Sequence, residues 1–139
     1  MKQICPFALF IFAGALASGA DGRPISQADA KKLKNPIPFN SKSINQGKSV
    51  FIRMCSSCHG MDGKSAIDVV ADATDLTEPK VYKSGISEGE IFRSIRDGQG
   101  ASMPSFQSQL KSEDEMWHLV NFIQNLWADS DRPKSQTSK

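Results

Sequence analysis

"MCSSCHGMDG", residues 54–63, gathers two of the chain's three cysteines and one of its two histidines into five consecutive positions, Cys55 to His59. In a chain of 139 residues such a concentration implies that something is held there. The surrounding sequence has to decide what it is, and it does so through the compartment, the helices and the remaining donor side chains.

The length corresponds to one domain with tails. Residues 1–20 read as an export signal: Lys2 gives a positive start, Ile4 to Ala17 form an apolar run, and Ser18-Gly19-Ala20 offers small residues for cleavage. Ala15-Leu16-Ala17 is a second candidate, so cleavage is expected near Ala20 or Ala17. The run falls short of the roughly 20 apolar residues of a spanning helix, and no other segment is long enough, so no stable membrane insertion is expected once the signal is removed. A periplasmic location follows. Cys5 leaves with the signal, which reduces the mature chain to Cys55, Cys58, His59 and His118 as its cysteines and histidines.

Charge is uneven. Residues 44–128 hold 8 basic and 11 acidic side chains, net −3, whereas residues 21–43 hold 5 basic and 2 acidic, net +3. Nothing resembles a nucleic-acid-binding patch. Residues 21–43, with their prolines and the Lys31-Lys32-Lys34 cluster, read as a mostly extended basic arm pinned by Ile37 and Phe39. Residues 129–139 read as a disordered polar tail, leaving a folded body over 44–128.

Three helices are expected in that body, and strand signals are weak. The first covers about 44–54, with Ile44, Gly47, Phe51 and Met54 near one face. Gly47 costs about 1 kcal/mol in a helix interior, which makes sense where a second helix crosses closely. Another helix begins at the capping box Ser87-Glu88-Gly89-Glu90 and stops at Gly98, burying Ile91, Phe92 and Ile95. A third begins at Ser112-Glu113-Asp114-Glu115, read as a second capping box, and carries Met116, Leu119, Val120, Ile123 and Trp127 at 3–4 spacing. The irregular stretches at 55–86 and 98–111 are long for so small a domain unless they wrap a bound group.

A thioredoxin-like dithiol needs a βαβ context that is absent. Structural zinc generally needs four ligands and an iron–sulfur cluster four cysteines. A disulfide, common in exported proteins, leaves His59 unexplained. Cys55-Ser56-Ser57-Cys58-His59 does match c-type haem attachment: two thiols a short turn apart form thioethers with the haem vinyl groups, and the next residue offers an imidazole to the iron. For the sixth position, Met54 and Met61 lie too near the attachment site. Met116 reads as core and His118 as a surface residue. Met103 sits in the glycine-rich loop "GQGASMPSF" before Pro104, between two helices, and is the expected distal ligand.

With these residues in place the chain resembles the class I cytochromes c, the small single-haem periplasmic carriers and the cytochrome modules of bacterial dehydrogenases. The matching residues are Gly47 and Phe51, Cys55-Ser56-Ser57-Cys58-His59-Gly60, Asp75-Leu76-Thr77, Ile91-Phe92 through Gly98, Met103-Pro104 and Trp117 to Phe122. The resemblance implies an all-α cytochrome c-like fold with crossing first and last helices, Phe51 packed near Phe122 or Leu119, and axial ligation by His59 and Met103. It also exposes a departure: many members have a proline soon after the Cys-His segment whose carbonyl holds the histidine ring, and "GMDGKSAIDVV" has none. Tyr82, Arg93, Arg96 and Trp117 are candidates for the haem carboxylates.

The expected function is electron transfer, not catalysis, using one covalently bound haem c and redox protein partners such as a dehydrogenase, an oxidase or a cytochrome complex. The alternatives are a dedicated dehydrogenase subunit held through the basic arm, and a haem enzyme or gas sensor with an open sixth site.

Overall fold

The computed structural model describes residues 22–65 and 72–135, so the expected export signal lies outside the described residues. Among them the elements are helical, in the order α1 (Gln27–Ala30), α2 (Ser41–Met54), α3 (Ser56–His59), a 3₁₀ turn (Pro79–Val81), α4 (Glu88–Asp97) and α5 (Glu113–Asn125). The one extended pairing among the described residues is an isolated bridge between Gln99 and Met103. Local chemistry sets the helix ends. Asn40 caps α2 by accepting from the Ser43 N–H, which starts the helix three residues before its apolar face begins. Ser87 and Glu90 form a reciprocal capping box on α4. At α5 the box is half made: Ser112 caps the Glu115 N–H, but the Glu115 carboxylate turns to the Lys111 N–H and to Arg53.

The core forms where α2 crosses α5 and α4 leans on α5. Val50 and Phe51 of α2, Ile91, Phe92 and Ile95 of α4, and Met116, Leu119, Val120, Phe122 and Ile123 of α5 form one buried cluster. Gly47 is the point of closest approach: a Cβ there would lie 2.0 Å from the His118 carbonyl oxygen and 2.8 Å from the Phe122 Cβ. One turn further, the Phe51 and Phe122 rings meet at 5.0 Å, tilted by 48°.

The segment before α2, expected as a mostly extended arm pinned by Ile37 and Phe39, has Phe39 buried and Ile37 against the core, but is more ordered than an extended arm. It contains α1, and the backbone between α1 and α2 lies against α5. Asn121, 2% exposed, explains why. Its amide donates to the Ile37 and Pro38 carbonyls and to Ser43 Oγ at 2.7 Å, and its carbonyl accepts from Asn35. A buried amide without partners is costly, and the chain wraps so as to supply them. Ser43 Oγ, which accepts from Asn121, also shares a hydrogen bond with His118 Nδ1 at 2.8 Å. Burial holds His118 below the ordinary imidazole value, against the pull of Asp114, which favours the neutral ring. His118 is therefore part of a network and not the surface residue its position suggested. At the other end, residues 129–132 form a turn, with Arg132 bonded to the Trp127 carbonyl and paired with Asp129.

Gly47→Ala is expected to lower unfolding stability by about 3 kcal/mol, the upper part of the overpacking range, because the added carbon meets backbone on the partner helix. Urea denaturation read from the midpoint at constant slope checks this. A loss below about 1 kcal/mol would show that the crossing can open without cost.

Candidate functional site

α2 breaks at Cys55, whose φ of −120° is no longer helical, and resumes as the single turn α3 before Gly60 (φ 73°). The Cys58 and His59 N–H groups both donate to the Cys55 carbonyl, a tight turn that carries the two sulfurs and the imidazole together. Cys55 and Cys58 are free thiols. Burial pushes the Cys55 thiol up to about 12, with the neighbouring Cys58 adding to the shift. That is the reverse of the depressed value of a reactive redox thiol.

His59 is held from behind. Its Nδ1 lies 3.0 Å from the Thr74 carbonyl oxygen, and a carbonyl can only accept, so Nδ1 carries a proton and in the neutral ring the lone pair is on Nε2. The missing proline is thus replaced by a backbone carbonyl fifteen positions away, an atom no side-chain pattern could reveal. The returning loop is fixed by Ser65 N–H to the His59 carbonyl and Leu76 N–H to the Gly63 carbonyl, at 2.9 and 2.7 Å. At Gly63 (φ 80°) a Cβ would come within 2.6 Å of Leu126.

Beyond α4 the chain turns at Gly98 (φ 84°), where a Cβ would lie 2.7 Å from the Met103 carbonyl oxygen. Gln99 and Met103 then exchange backbone hydrogen bonds at 2.9 and 3.3 Å, closing a small loop. Met103, Cys55, Cys58 and His59 all line one cleft, so two segments more than forty residues apart in sequence bring their donors to a common space. The cleft opens to solvent. Phe51, Leu76, Ile91, Ile95, Leu119 and Ile123 make its apolar wall, and Lys83, Ser84, Gln99 and Asp72 are among its polar lining.

The carboxylate candidates divide. Tyr82 lines the cleft, but its hydroxyl donates to the Leu76 carbonyl at 2.8 Å and accepts from Trp127 Nε1 at 3.1 Å. Burial raises its pKa. The Trp117 ring stacks on Phe92 at 4.0 Å. Arg93 and Arg96 bind backbone carbonyls of the N-terminal segment instead, at Ile25 and Arg23. A guanidinium serves a carbonyl as readily as a carboxylate, which is why residue type alone did not separate these roles.

The family described as cytochrome C oxidase, cbb3-type, subunit III matches residues 42–123. Over 100 residues the chain is 34% identical to the cbb3-type cytochrome c oxidase subunit CcoP of Helicobacter pylori, covering 71% of this chain and 32% of that protein. The match thus spans about a third of the length of the curated relative. A solved reducing HAO-like protein complex of Kuenenia stuttgartiensis is similar at TM-score 0.59 and 25% identity, over 69% of this chain and 50% of that one. Cytochrome cL of Methylophaga aminisulfidivorans shares the fold at TM-score 0.54 and 22% identity, over 62% of this chain and 56% of its own.

Tyr82→Phe removes the acceptor of a buried indole N–H and the donor to Leu76. It is expected to cost about 1–3 kcal/mol, read as a fall in thermal midpoint. An unchanged midpoint would mean that water replaces the hydroxyl.

Proposed function

The chain belongs to the cytochrome c family that includes subunit III of cbb3-type oxidases, and on that premise we propose that it is an exported one-electron carrier with a single covalently held haem c. One observation carries the proposal: two free thiols, an imidazole with a free Nε2 and a methionine line the same largely apolar cleft. That donor set fits a haem. Cys55 and Cys58 would hold it by thioethers, and His59 and Met103 would ligate its iron.

Haem, when bound, supplies the one-electron couple. The rest is the work of this chain's residues. The Thr74 carbonyl keeps His59 Nδ1 protonated and its ring oriented, which raises the basicity of Nε2. The Met103 thioether favours the ferrous state and raises the potential. The apolar wall excludes water, and the covalent bonds prevent loss outside the cytoplasm. Filled axial positions would leave no place for oxygen or peroxide, which separates a carrier from a haem enzyme or gas sensor. Similarity to CcoP favours a second reading, in which the same domain serves as a subunit of a larger redox complex, passing electrons within it.

Replacing the distal donor tests the ligand set. Met103→Ala, exported with haem-attachment machinery, is expected to keep its haem, lose the weak far-red sulfur-to-iron band, bind carbon monoxide when reduced, and show a lower potential. A variant that retains the far-red band and excludes carbon monoxide would overturn ligation by Met103.

A further inference from the structure

We propose that residues 22–38 are a strap that positions the Met103 loop, acting through the C-terminal end of α4 and through Ser84. This rests on the reading of Met103 as an axial ligand. The segment lies outside residues 42–123, the part matched by the family, yet side chains that bracket the Met103 loop are committed to it.

The first route runs through α4. Its penultimate residue, Arg96, is 1% exposed and donates to the Arg23 carbonyl at 3.0 Å and to Asp97 at 2.7 Å. Asp97 in turn accepts from the Ile25 N–H at 2.7 Å, and Arg93 Nε donates to the Ile25 carbonyl at 2.7 Å. The strap therefore provides partners for a buried ion pair on the residues directly before the Gly98 turn. Breaking such a pair on one side leaves a charge buried and uncompensated. Arg96 also anchors the far side of the loop, since its carbonyl accepts from Ser105 Oγ at 2.5 Å and from the Gln107 N–H at 3.2 Å. Met103 thus lies between two segments fixed to Arg96.

The second route is shorter. Gln27 Nε2 donates to the Ser84 carbonyl at 2.8 Å and to Glu90 Oε1 at 2.7 Å. Ser84 Oγ donates to the side-chain carbonyl of Gln99, the residue whose backbone pairs with Met103. The fit is close along its length. A Cβ on Gly89 would lie 2.1 Å from the Ala30 carbonyl oxygen, so strap and helix touch backbone to backbone. Net hydrogen-bond contributions are modest singly, but here several converge on one loop.

Loosening the strap should let the distal ligand leave more often while the haem stays attached. The test compares three exported holo-proteins. Gln27→Ala/Arg93→Gln cuts the route through Ser84 and removes the Arg93 contact of the route through α4, with substitutions outside the cleft. Val50→Ala, on the buried face of α2, is a destabilised control. The wild type is the reference. Covalent haem content, the far-red band of the oxidised protein and its affinity for imidazole are measured for each. The double variant is expected to keep full haem content, weaken the far-red band and bind imidazole about tenfold more tightly, the scale of one or two hydrogen bonds. Val50→Ala is expected to match the wild type in band and affinity. An unchanged band and affinity in the double variant overturns the strap, as does an equal change in Val50→Ala, which would report general loosening. A wild type with haem but no far-red band overturns the ligand reading itself, and the strap with it.

Discussion

The contact between Gly47 and the carbonyl of His118 is the constraint on which the rest of the molecule depends. With a Cβ allowed only 2.0 Å from that oxygen, α2 and α5 approach at backbone distance. The approach fixes the direction in which α2 ends, and therefore where Cys55, Cys58 and His59 emerge. It also brings Phe51 onto Phe122, and Phe51 and Leu119 into the wall of the cleft. A wider crossing would leave the apolar wall incomplete and put the turn that carries the thiols out of register with the Met103 loop. The glycine weakens its own helix, and the packing it permits offsets that cost.

Much of this was legible in the sequence because it rests on local chemistry. The capping residues before α4 and α5, the Gly98 stop and the apolar periodicity of α5 mark helices through interactions spanning three or four residues. Gly47 pointed to a close crossing by residue type, and the resemblance to class I cytochromes c implied that Phe51 packs near Phe122 or Leu119. Cys55, Cys58 and His59 stand together by local spacing, whereas Met103 reaches the same cleft from a loop more than forty residues away.

What stayed hidden depends on atoms that side-chain patterns do not encode. The Thr74 carbonyl behind His59 is backbone, fifteen positions away in sequence. The partners of Arg93 and Arg96 are backbone carbonyls about seventy positions away, so the guanidinium groups read equally well as ligands of a bound carboxylate. His118 read as a surface residue, while its partner Ser43 comes from the start of another helix. The strap carries no lasting periodicity. It is ordered by buried polar groups, Asn121 and Arg96 above all, whose need for partners becomes visible only when their burial is known.

The central claim is that Cys55 and Cys58 carry one haem, and intact-mass measurement of the exported, purified protein tests it most directly. The account predicts a mature chain heavier by one haem, with the added mass absent when Cys55 and Cys58 are both changed to serine. A mature chain at its bare mass, or lighter by the two hydrogens of a Cys55–Cys58 disulfide, would contradict it.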